Sequence, residues 1–410
     1  MKTILISAYA CEPNKGSEPG VGWNWMKEIA KNNKVIVITR LNNKNIIEDE
    51  LKFNSNQYNN ISFYYCDVPK RLSFWKKGQR GLHLYYFLWQ IECYKLSKLI
   101  MKNIKVDIAL GLTFGNMWLP TFMYKLPCKF IWGPLGGGEG VPTKLWGKLP
   151  IKQKLVEIIR IINKYLPLTN IWFYSICKKS DYILVRTNDS FNCIPKKYRS
   201  KCDIIIETGV SVEECEELNR RAKEIEPKYD FIFIGRLVPF KMADIAIKAF
   251  ANVAKENSNI NFHIVGDGPC LNEYKRLIER LEMERQIILH GELDRNDALE
   301  MLMSSKAFLF PSAREGGAWV LFEAMMCSKP IICLDTSGMN VVVTNETGIK
   351  IPVNDYDKVV QDFSIAIKEL IDKPDNALYR GVNGYDRVKS EFEWKSKGKF
   401  ISEIIEKIYE

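Results

Sequence analysis

The sequence predicts an α/β protein made of two doubly wound parallel-sheet domains in tandem, and three observations carry that expectation. Short β-branched runs recur along the whole chain, most of them continuous rather than alternating, as strands buried on both faces require. Segments of helical period lie between many of these runs, which is the arrangement of parallel strands joined by helical crossovers. The pattern is interrupted by the acidic stretch SVEECEELNRRAKEIEPKYD (211–230) and then starts again. At 410 residues and 46% hydrophobic, the chain also exceeds one ordinary core; domains of about 100–200 residues imply about two or three.

The first seven runs, in order, are KTILISAY, KVIVITR, ISFYYCDV, VDIALGLT, CKFIWGP, DYILVRT and CDIIIETGV. The first leads into ACEPNKGSEPGVGWNWMKEIA, where Gly16, Gly20 and Gly22 precede or open a helix whose apolar face includes Trp23, Met26 and Ile29. A glycine-rich turn at a helix N-terminus presents unpaired N–H groups to an anion, although a turn without a ligand would carry the same glycines. The spacing is not the G-x-G-x-x-G dinucleotide fingerprint, and no G-K-[ST] completes a Walker loop.

The second series runs DFIFIGRL, INFHIVGDG, IILHGEL, AFLFPSA, KPIICLD and GIKIPV, with a helical stretch after each of the first five. The expected domains are therefore 1–205 and 206–385, and the closing helix at about 386–410 is expected to pack back on the first. Ligands of such sheets bind outside the carboxyl ends of the strands, so residues just after each run are the candidates for chemistry. In FIFIGRLVPFK, Arg236 directly follows a strand and Lys241 comes five residues later. A forked guanidinium and an ammonium at one sheet edge suit a diphosphate, two solvated basic residues in a loop being the plainer alternative.

In PSAREGGAWVLFEAM the strand passes through REGG into a helix, which puts Glu315 at the lip of the crevice and Glu323 roughly two turns into the helix. Ionised carboxylates only accept hydrogen bonds, and sugars offer hydroxyl donors in pairs. Two such acceptors suit two sugars of one ligand, with Gly316 and Gly317 leaving backbone N–H groups open to phosphate. Helix capping would account for Glu315 alone but not for Glu323.

The formal charge of +10 is unevenly spread. Segment 70–105 holds nine Lys/Arg against Glu92, and segment 144–179 holds eight against Glu157, leaving the rest of the chain at −5. Both segments are rich in aromatics, so an anionic membrane surface is the expected partner, with Trp75, Trp172 and Phe173 at the interface, lysines on solvated helix faces being the plainer alternative. No recognition helix, finger or RNP-like motif accompanies the charge, so nucleic acid is not expected. Eleven scattered cysteines without C-x-x-C spacing fit a reducing cytoplasm. No run of about 18 apolar residues spans a membrane, and the N-terminal residues lack a basic leader and cleavage site. The expected location is cytoplasmic, peripheral on the inner face of the cell membrane.

GSEPGVGWNW, WGPLGGGEG, GRLVPFK, IVGDGP and FLFPSAREGGAWVLFEAM together resemble the ordered motif set of the retaining glycosyltransferases of family 4. The resemblance spans both domains, strongly over 229–353 and more weakly over 40–105 and 144–200. It implies the glycosyltransferase B (GT-B) fold, two Rossmann-like domains facing across a cleft. It also implies transfer of a hexose-type sugar from a nucleotide sugar to a saccharide or lipid-linked acceptor in cell-envelope polysaccharide or lipopolysaccharide synthesis. Carried onto this chain, the motif makes Glu315 the contact to donor-sugar hydroxyls, Glu323 the contact to ribose, and Arg236 and Lys241 the basic pair on the diphosphate. Glu315, Arg236 and Lys241 are thereby the catalytic candidates. Gly20, Gly235, Gly266, Gly316 and Gly317 complete the implied donor site, and Glu18, Thr113 and Glu139 stand on the acceptor side. Two departures are visible. Gly317, Ala318 and Trp319 replace the phenylalanine and glycine of many relatives, and Leu110 and Gly111 stand where relatives often place histidines.

No cofactor and no metal are expected. The chain has three histidines, His83, His263 and His290, and no helical H-x-x-x-H pair or cysteine cluster for zinc. An Asp-x-Asp metal site would have to use Asp355 and Asp357, yet Asn354 or Asp355 is better placed to cap a helix. A dinucleotide-dependent oxidoreductase would need an acidic ribose contact about 20 residues beyond a true G-x-G-x-x-G. The remaining alternatives are a catalytically silent carbohydrate-binding protein at the membrane and another nucleotide-sugar-processing enzyme of the same fold.

Overall fold

The computed structural model describes residues 1–410 apart from Gln79, residues 166–169 and Ala318, with the side chains of Ser55 and residues 163–165 also left aside. All thirteen predicted runs form strands. They are β1 (Thr3–Ser7), β2 (Lys34–Arg40), β3 (Ile61–Cys66), β4 (Ile108–Gly111), β5 (Lys129–Leu135), β6 (Tyr182–Val185), β7 (Cys202–Ile204), β8 (Tyr229–Ile234), β9 (Phe262–Val265), β10 (Ile287–Gly291), β11 (Ser305–Phe310), β12 (Ile331–Leu334) and β13 (Gly348–Ile351). The helices used below are α1 (Ser17–Ala30), α2 (Lys44–Phe53), α3 (Lys70–Ser73), α4 (Leu82–Ile100), α5 (Ile151–Tyr165), α6 (Ile171–Lys179), α7 (Asn188–Cys193) and α8 (Val212–Glu224). They continue as α9 (Ala243–Ala254), α10 (Leu271–Arg280), α11 (Arg295–Met303), α12 (Trp319–Met326), α13 (Ser337–Val342), α14 (Tyr356–Asp372), α15 (Pro374–Glu391) and α16 (Trp394–Lys407).

The chain forms two compact units. Unit 1 comprises residues 1–138, 162–209 and 394–410. Its parallel sheet has the order β3-β2-β1-β4-β5-β6-β7. Side chains of a strand alternate between faces, and both faces here are apolar. Ile4 and Ile6 of β1 join Trp25 and Met26 of α1, Ile47 of α2 and Ile401 of α16 on one side. Leu5 joins Trp89 of α4 and Phe173 of α6 on the other. Trp25 is fully buried, and its indole N–H donates to the Glu207 carbonyl at 2.8 Å.

Unit 2 comprises residues 139–161 and 210–393. Its sheet is again wholly parallel, ordered β10-β9-β8-β11-β12-β13. Small residues let α9 lie flat: Ala243, Ala246 and Ala249 are all buried, as is Phe250, and α14 packs against this helix.

The change of unit falls at 209/210, close to the division at 205/206, and the units differ from that division in two further places. The acidic stretch opens unit 2, where α8 buries Cys215, Leu218 and Ala222 and packs on α12 and α15. Its Ser211 cap, accepting from the Glu214 N–H at 3.0 Å, shows why so polar a sequence begins a helix. Only α16 returns to unit 1, where it packs on α1, whereas residues 386–391 end α15 of unit 2. Residues 139–161 group with unit 2, held by a buried glutamate described below.

Phe173 corrects the interfacial expectation. It is 1% exposed, with its ring 5.2 Å from that of Trp118, because its position on α6 faces the core. Trp172 next to it is exposed, and Trp75 is half-buried with its indole N–H on the Leu72 carbonyl. Among the described residues, no helix is long and apolar enough to cross a membrane.

His263 on β9 and His290 on β10 place ring nitrogens 2.7 Å apart, and Tyr229 lies 4.1 Å from the His263 ring. Burial first, then the neighbouring His290, lowers the His263 pKa to about 4. A histidine kept neutral when folded contributes stability above the unfolded value near 6.5 and loses it as pH falls from about 6.5 to about 4. His263→Gln is expected to flatten this acid-side loss by about 1 kcal/mol, allowing for partial exposure. Urea unfolding at pH 7 and pH 5 measures it, and an unchanged difference between the two pH values refutes it.

Candidate active site

The strand order of unit 2 reverses between β8 and β11, which pair directly. Such a switch point opens a crevice at the carboxyl ends of its two strands. β8 leads into Gly235–Lys241 and β11 into Ser312–Gly317, so residues distant in sequence face one another. The Ala313 N–H donates to the Phe240 carbonyl at 2.9 Å and joins the two loops.

Lys241 closes a single 3-10 turn, Pro239–Lys241, and its Nζ pairs with Glu315 Oε1. The ammonium lies 4.7 Å from the Phe310 ring centroid, and the Ser312 hydroxyl donates to the same carboxylate oxygen at 2.7 Å. Their side chains are 13% and 14% exposed, sheltered enough for a charged ligand group to be strongly felt. The backbone of Glu315 is pinned from behind, since its carbonyl accepts the Gly338 N–H at 3.0 Å.

Beside this pair, at the ends of β8 and β9, is a cavity of 370 Å³ lined by Gly235, Arg236, Gly266, Asp267, Gly268 and Glu292, among others. Its floor needs glycine. Gly266 has φ +142°, and a Cβ there would stand 2.0 Å from the Gly235 carbonyl oxygen. Arg236 is exposed and, among the described residues, makes no ion pair, so its fork is available to a ligand.

Glu323 is the fifth residue of α12, little more than one turn in rather than two. It is buried, and its Oε1 accepts from Arg295 Nε at 3.0 Å. Burial raises its carboxyl pKa, with Arg295 opposing. Arg295 opens α11 behind the Asp294 cap and also reaches Glu214 at 2.7 Å.

Of the predicted donor residues, Gly235, Arg236 and Gly266 line the cavity, and Lys241 and Glu315 form the adjoining pair. Glu323 is reached through α11, whose Ala298 is also a cavity residue. Gly316 and Gly317 lie in the turn before α12, and the substitution at Ala318 falls outside the described residues. Arg295, Ser312 and Asp267 were missed as individuals. Their signal was position, since each lies within or just beyond the carboxyl end of a predicted strand run.

In unit 1 the corresponding switch point is between β1 and β4. The Ala10 N–H donates to Thr113 Oγ1 at 3.0 Å, and the Phe114 N–H donates to the Glu18 carboxylate. Gly20 is the fourth residue of α1. A Cβ at Gly20 would stand 1.9 Å from the Lys15 carbonyl oxygen, which is a structural requirement for glycine besides any ligand. Glu139 belongs to unit 2, so the three acceptor-side candidates are divided between the units. Asp355 caps α14, accepting from the Lys358 N–H at 3.1 Å.

Residues 216–387, all in unit 2, match the family model described as glycosyl transferases group 1. Over 252 residues the chain is 29% identical to the Escherichia coli UDP-Gal:alpha-D-GlcNAc-diphosphoundecaprenol alpha-1,3-galactosyltransferase, covering 56% of this chain and 62% of that one. Over 179 residues it is 28% identical to the Corynebacterium glutamicum GDP-mannose-dependent monoacylated alpha-(1-6)-phosphatidylinositol monomannoside mannosyltransferase, covering 42% and 45%. The chain thus spans about half the length of the curated relatives it matches. Sucrose-phosphate synthase from Thermosynechococcus elongatus superposes with a TM-score of 0.65 at 15% identity, over 100% of this chain and 99% of that one. That likeness is one of fold. The chain therefore has the GT-B fold, and its segment 216–387 is similar to the glycosyl transferases group 1 family.

Proposed function

We propose that this chain is a retaining glycosyltransferase of the family 4 type, moving a hexose-type sugar from a nucleotide sugar to a saccharide or lipid-linked acceptor. The observation that carries the reading is the Lys241–Glu315 pair at the switch point of unit 2, beside a cavity bearing Arg236. Two cations there suit the diphosphate, Glu315 accepts from sugar hydroxyls, and Glu323 takes ribose in exchange for part of its contact with Arg295.

The demanding event is departure of the nucleoside diphosphate as oxocarbenium character builds at the anomeric carbon. Lys241 and Arg236 stabilise the charge developing on the leaving oxygen. In a front-face route the bond from the anomeric carbon to the phosphate oxygen breaks and the bond to the acceptor oxygen forms on the same side. The acceptor proton passes to the departing diphosphate. Lys241 and Arg236 supply positive charge at the leaving group, and the route requires no metal. Gly20 is assigned to the diphosphate as the family resemblance implies, and Glu18, Thr113 and Glu139 are the acceptor-side candidates.

A lipid-linked acceptor fits the surface chemistry and the acceptors in the two relatives' names. On α5, Ile151 is 77% exposed and Leu155 and Ile159 are exposed, with Lys152 and Lys154 between them. Helices of that composition lie on anionic membranes, which supports a location at the inner surface of the cell membrane and a role in envelope polysaccharide synthesis. Binding to anionic vesicles is expected to weaken steeply with salt; equal binding to neutral vesicles at low and high salt overturns the electrostatic part.

The deciding assay is a panel of UDP-, GDP- and ADP-sugars with saccharide and lipid-linked acceptors, run in excess EDTA. Transfer with the donor's anomeric configuration is expected. An inverted product, or activity that stops in EDTA and returns with magnesium, rejects the mechanism, and absence of any transfer leaves a carbohydrate-binding role instead.

A further inference from the structure

Beside the donor site lies a buried ion pair that the chemistry above does not use. Arg314, which precedes Glu315, bonds Glu157 on α5 through Nη1. Glu157 is 1% exposed and Arg314 13%. Glu157 Oε2 also accepts the Val141 N–H at 2.9 Å, and Oε1 accepts from Gln153 Nε2 at 2.9 Å. Arg160 Nε stands 3.9 Å from Oε1. On its other side the Arg314 guanidinium lies 4.1 Å from the Phe240 ring centroid, and Phe240 precedes Lys241.

Burying two charges is expensive, and a well-packed apolar pair of similar volume is often at least as stable. Stability therefore gives little reason for an Arg–Glu pair at this point. Its placement does. One guanidinium touches the residue before Lys241, belongs to the residue before Glu315, and is fixed by a carboxylate saturated with donors.

We propose that Arg314 and Glu157 are positioning residues that hold Lys241 and Glu315 in register for the donor's diphosphate and sugar. The inference rests on the donor assignment made above. Neither side chain touches the donor in this account. Without Glu157 the Arg314 cation loses its fixed partner and becomes a competitor of Lys241 for Glu315, the nearest carboxylate along the chain.

The test compares Glu157→Gln, Arg314→Lys and the double variant Glu157→Leu/Arg314→Met with the wild type, using UDP-, GDP- and ADP-sugars. Glu157→Gln and Arg314→Lys are expected to lower kcat about 10–100-fold, as a misplacement near 1 Å does. Nucleoside diphosphate affinity is expected to fall by a smaller factor than kcat, because Lys241 is displaced rather than removed and the cavity floor at Gly235 and Gly266 is untouched. The double variant is the discriminating case: its thermal midpoint should return to that of the wild type while kcat stays low. Recovery of kcat together with stability in the double variant would show a purely structural pair and overturn the proposal. So would single variants with wild-type kcat. If the wild type itself neither binds nor turns over any nucleotide sugar, the donor assignment falls and this inference with it, an outcome distinct from normal donor use by the variants.

Discussion

Lys241→Ala is expected to reduce turnover about 10²–10³-fold, the loss of about 2.7–4 kcal/mol typical when one preorganised donor to a developing anion is removed. Lys241 is sheltered, lies over Phe310 and is fixed by Glu315, so its charge is already oriented before a donor arrives. Its removal also leaves Glu315 with the Ser312 hydroxyl and no cation, in a place where an uncompensated carboxylate repels a diphosphate. Lys241→Arg is not expected to restore activity fully, since a planar fork does not replace a compact ammonium above an aromatic ring. Steady-state rates and nucleoside diphosphate titration measure both effects, and unchanged affinity and turnover in Lys241→Ala would remove the diphosphate assignment.

Gly266→Ala should produce the largest loss of stability among single changes at the site. The residue has φ +142°, which L side chains rarely adopt, and the added carbon would sit 2.0 Å from the Gly235 carbonyl oxygen and 2.9 Å from its carbonyl carbon. Both obstructing atoms are backbone, so no side chain can swing aside. Strain at such a dihedral costs about 1–3 kcal/mol and overpacking about 1–3 kcal/mol, which together predict a loss of about 2–6 kcal/mol. The Gly235 backbone would have to move, carrying Arg236 with it, and nucleotide affinity should fall in the folded fraction as well. Gly147→Ala is the control, because nothing lies within 4 Å of a Cβ there. Equal unfolding midpoints for the two variants would show that the cavity floor yields easily and that its glycine has another cause.

Much of the fold was legible because strand formation in a buried parallel sheet is a local property. All thirteen strands correspond to apolar, β-branched runs, and the helices of both units lie between them up to β13, with α14, α15 and α16 following it. The charged composition of 211–230 marks the change of domain, and its apolar positions Cys215, Leu218 and Ala222 share one face and give α8 a place in unit 2. Phe173 was grouped with Trp172 as an aromatic pair, but adjacent helical residues point in different directions, and one is core while its neighbour is exposed.

By itself the sequence determined the chemical types at the site and their positions after strands: Arg236 and Lys241 beyond one run, Glu315 and Glu323 beyond another, glycines between. Only the tertiary structure decided that β8 and β11 are neighbours, which is what places Lys241 against Glu315, and that α11 supplies Arg295 to Glu323. It alone showed Arg314 joined to Glu157 from a segment much earlier in the chain. The physical reason is that periodicity records which face of an element is buried, whereas strand order depends on how separate elements share one core, and no local pattern encodes that choice.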